Sequence, residues 1–165
     1  MADVAWSSWI NFYSATASGA AALTGLVFVS LSINLTHVLS TPGMKARAAE
    51  SIALLGLVLL VSLQSLIPNQ TLETLGWEAG PAVLLAWVLP QLSQWHSVRR
   101  RHFRRVVHVV VHVVLHQAST LPMLCASFLL MHEHEDARYW LAGGILLTLV
   151  AGMISAWVLL VEIVQ

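Results

Sequence analysis

The chain has 165 residues, of which 58% are hydrophobic and only 10% charged, and its eight basic and eight acidic side chains cancel. A water-soluble domain carries about 25% charged residues, so charge this scarce excludes a surface covered by water alone. Zero net charge argues against a general nucleic-acid binder, and the single cysteine, Cys125, excludes an intrachain disulfide and a Cys-based metal cluster.

Five apolar segments follow in chain order, at about residues 12–39, 49–67, 77–95, 106–131 and 139–164. Each is long enough to cross a bilayer as a helix of about 20 residues. The N-terminus carries Asp3 and no early Lys or Arg. It lacks the basic region of a signal peptide, so the first segment is expected to stay as a span. The second segment stops at Pro68, the third contains Pro81 and Pro90, and the fourth contains Pro122, where a kink is expected. Residues 106–114 are β-branched and would read as a strand in water. A lone strand in lipid leaves its backbone unpaired, so the segment is assigned as helix. The expected fold is an all-α membrane protein, a single domain over residues 1–165 built as a bundle of five transmembrane helices.

The loops set an orientation. Lys45 and Arg47 lie between spans one and two, and Arg99, Arg100, Arg101, Arg104 and Arg105 between spans three and four. Basic loops face the cytoplasm. The other two loops carry Glu73, Glu78, Glu133, Glu135 and Asp136, with Arg138 as the exception. This places the N-terminus outside and the C-terminus in the cytoplasm. Trp6, Trp9, Trp77, Trp95, Tyr139 and Trp140 then fall near the two interfaces, as an aromatic belt does. The five arginines also attract anionic lipid headgroups.

Ala15, Gly19 and Ala22 recur near helical spacing, as do Ala21 with Gly25 and Gly152 with Ala156. Small residues let helices approach closely in lipid, either inside one subunit or between subunits.

Three histidines in RRVVHVVVHVVLHQAST, His108, His112 and His116, share one helical face. Such a ladder admits three readings: polar glue between helices, a proton or ion path, or ligands for a metal or haem. No zinc-enzyme signature accompanies it. Asn34, His37, Glu50, Gln91, Gln94 and Glu162 are expected toward the cytoplasmic half, where they could form one polar seam. The pore or seam candidates are therefore Asn34, His37, Gln91, Gln94, His108, His112, His116 and Glu162. The loop cluster His132, Glu133, His134, Glu135 and Asp136 could sense pH or bind a metal weakly, although short exposed clusters of this kind are commonly just solvated. No nucleophile elbow, phosphate loop or Cys–His pair appears, so no catalytic set and no cofactor are expected.

Four stretches carry a family resemblance: ASGAAALTGLVFVSLSINL (17–35), ARAAESIALL (46–55), LIPNQ (66–70) and AWVLLVEI (156–163). Together they resemble a family of small bacterial integral membrane proteins often labelled "modulator of FtsH protease". The resemblance implies a multi-pass protein of the bacterial inner membrane, with a membrane protease as a candidate partner. The triple-histidine ladder is not part of the family pattern. The residues themselves favour a non-enzymatic homo-oligomer, with a small ion or proton channel ahead of a membrane adaptor.

Overall fold

The structure, a computed structural model, describes residues 2–41, 44–98, 106–134 and 136–164; side chains at 2–8, 91–98, 106–113, 115, 159–160 and 162–164 lie outside that description. The chain is all-helical, with no strand among the described residues. The helices are α1 (Ala2–Ile33), α2 (Leu35–Ser40), α3 (Met44–Gln64), α4 (Leu72–Val98), α5 (Val106–Met131) and α6 (Ala137–Val164). Three stretches among the described residues are long and apolar enough to cross a membrane: Trp9–Ile33, Met44–Gln64 and Ala137–Val158. The fourth apolar segment is helical from its β-branched start, as expected where backbone groups must be satisfied within the segment.

The first apolar segment does not run as one helix to Leu39. It breaks at Asn34, whose backbone (φ −107°, ψ 23°) leaves the helical region before α2 begins. Asn34 Nδ2 donates to the Ser30 carbonyl at 3.0 Å. Asn competes in this way for backbone partners and favours helix ends over helix interiors.

The helices run alternately up and down. Thr16, early in α1, bonds Ser62, late in α3, at 2.9 Å. Gly76 at the start of α4 lies against Met131 at the end of α5, and Gly144 early in α6 lies against Met123 late in α5. Packing runs from α3 to α4, α5 and α6 and closes from α6 back onto α3, with α1 docked outside on α3 and touching α6. In this ring α3 and α5 occupy opposite corners. One end of the bundle carries Lys45 and Arg47 and is here the basic end; the other carries the α3–α4 and α5–α6 turns and is the acidic end.

Toward the acidic end the interior is a dry layer of Val58, Val61, Val83, Met123, Ala126 and Ile145, all with no exposed surface. Apolar burial alone gives little drive between helices in lipid, so close packing and hydrogen bonds must hold the bundle. The small residues supply the close approach. Gly152 meets Leu55 of α3, and Ala156 is buried in the same seam. The α1 stripe behaves differently: Ala15, Ala22 and Gly25 are exposed, and Gly19 and Gly25 have no neighbour within 4 Å of where a Cβ would stand.

α5 ends in a Schellman motif. His134 N–H donates to the Leu129 carbonyl and Glu133 N–H to the Leu130 carbonyl, with Glu133 held at φ 54°. Non-glycine residues pay steric strain there. Glu133→Gly should therefore raise stability by about 1 kcal/mol, seen as a later unfolding midpoint in detergent; an unchanged or earlier midpoint would contradict the strain.

Candidate buried pair between α3 and α5

Glu50 and His116 form the one ion pair assembled from the sequence candidates among the described side chains. Glu50 lies six residues into α3, about 9 Å from its first residue at 1.5 Å rise. His116 lies ten residues into α5, about 15 Å from its start. Their helices sit at opposite corners of the ring, so the contact crosses the bundle interior. His116 Nδ1 stands 3.5 Å from Glu50 Oε1, with the side chains 2% and 11% exposed. That distance suits an ion pair better than a short hydrogen bond.

The turn of α5 beside the pair is tied on two sides. Toward α4, Trp87 Nε1–H donates to Gln117 Oε1. Toward α6, Thr148 Oγ1 donates to the Ser119 carbonyl at 3.0 Å, with Met123 Sδ 3.2 Å away. Ser119 and Thr120 turn their hydroxyls back onto the His116 carbonyl at 2.9 and 2.7 Å. Pro122 follows within the same helix and brings no N–H, so the helix ladder is interrupted next to this turn. The cross-helix bonds hold α5 where its own ladder is weakest.

A carboxylate and an imidazole this deep are poorly solvated by their apolar surroundings, so each depends on the polar groups it meets. Arg47, one turn before Glu50, is the nearest described cation on α3. The described ionisable groups of α4 and α6 (Glu73, Glu78, Arg138 and Tyr139) all stand at the acidic end.

The other seam candidates are placed apart or lie outside the described residues. Asn34 is half-buried and bonded to its own helix, and His37 is exposed on α2. The side chains of Gln91, Gln94, His108, His112 and Glu162, and all of Arg99, Arg100, Arg101, Arg104 and Arg105, lie outside the described residues. Among the described residues no group of three His, Cys, Asp or Glu side chains is placed to hold a metal. The sequence reading named Glu50 and His116 but not Trp87, Ser119 or Thr148. Hydroxyls are too common in this chain to stand out, and no spacing rule pairs α4 or α6 with a particular turn of α5.

At the acidic end Tyr13 is buried and bonded to Ser65 with Arg138 close by. Trp9, Phe12, Tyr13 and Tyr139 form an aromatic cluster there, with contacting centroids 5.3–6.0 Å apart; Trp9 stacks on Tyr13 and the other contacts are edge-to-face, the arrangements aromatic rings prefer.

Comparison with known proteins finds no matching family model, no matching curated protein and no matching solved structure. What the chain itself defines is a class: an all-helical protein with helices able to cross a membrane.

Proposed function

We propose that this is a five-span, homo-oligomeric, non-enzymatic protein of the bacterial inner membrane whose bundle is tied across its diagonal by the Glu50–His116 contact. The observation that carries the reading is a buried acid–imidazole contact across the diagonal of an apolar bundle. Ionisable groups are costly at such depth, and where they persist they point to function. α4 and α5, at 27 and 26 residues, match the other spans in length, and the basic and acidic ends support an N-terminus outside. The α1 stripe of exposed Ala15, Ala22 and Gly25 with half-buried Gly19 supports close contact between copies.

The dry layer of Val58, Val83, Met123 and Ile145 argues against an open pore through a single bundle. The reading is therefore a closed bundle tied across its diagonal by the Glu50–His116 contact, with any function between copies rather than through one chain.

The test is the mass of the protein in lipid discs, where a symmetric oligomer is expected and a monomer would remove the homo-oligomer. Hydrogen exchange at one pH tests the tie: Glu50→Leu should speed exchange in α3 and α5, and unchanged exchange would remove the tie. Glu50-dependent proton flux in vesicles would replace the closed bundle with a channel.

A further inference from the structure

We draw no further inference here: the strongest candidate, the apolar groove on the α5–α6 face lined by Leu124, Cys125, Phe128, Leu129 and Trp140, carries nothing because nothing in the structure shows what covers it.

Discussion

Replacing Glu50 or His116 singly by Leu should destabilise the bundle by about 3–5 kcal/mol, whereas replacing both should cost far less. The asymmetry comes from what each change leaves behind. His116→Leu takes the imidazole from a carboxylate that is 11% exposed, and Glu50→Leu takes the carboxylate from an imidazole that is 2% exposed. Each remaining group loses a partner in surroundings that solvate it poorly. In the double variant neither group remains, and two leucines fill part of the volume. Because the contact crosses the ring corner to corner, its loss also frees α5 to move relative to α3. Reversible unfolding in lipid discs, measured on both single variants and the double variant, gives the coupling directly. Single losses that simply add in the double variant would mean the two side chains do not interact.

The period of four that relates positions 108, 112 and 116 is written into α5 itself, and of the three only the His116 side chain is among those described. The choice of Glu50 as the partner of His116 is not written there. Spacing places a residue on a face of its own helix, and nothing in one helix states which helix lies across the bundle. Glu50 and His116 were both visible as costly groups for lipid, but only the closing of α6 onto α3 sets α3 and α5 on a diagonal. Asn34 shows the opposite limit. It reads as a polar seam residue, yet its amide is consumed by Ser30 one turn back on its own helix. Helix limits were legible to within a few residues at α5 and α6, where an acidic turn cuts the apolar run. They were missed at α1, where an apolar run continues through a local backbone break.

The small residues carry the second large prediction, because sequence could not rank them. Gly19 with Ala15 and Gly25 with Ala21 have the spacing that marks a close helix contact, yet neither glycine has a described neighbour within 4 Å of where a Cβ would stand. Gly144, with only Thr148 at that spacing in α6, makes the closest approach to α5 of the described glycines of α6. A Cβ there would overlap Met123 Cγ and stand 2.9 Å from the Met123 backbone nitrogen and 3.2 Å from its Cα. A side-chain tip can rotate aside, but a backbone nitrogen in a helix cannot, so α5 and α6 would have to part. That shift would also strain the Thr148 bond to the Ser119 carbonyl, one turn along the same seam. Gly144→Ala should therefore cost about 1–3 kcal/mol, the usual range for overpacking, and Gly144→Val more. Gly143 supplies the contrast one residue earlier, since nothing lies within 4 Å of its Cβ position. Gly143→Ala should be neutral or stabilise by up to about 1 kcal/mol through helix propensity alone. The unfolding midpoints of these two alanine variants should move in opposite directions or differ by several degrees. Equal midpoints would show that α5 and α6 do not meet at Gly144. The buried pair would then lose the seam that holds His116 toward Glu50, because Thr148 reaches α5 only through that contact.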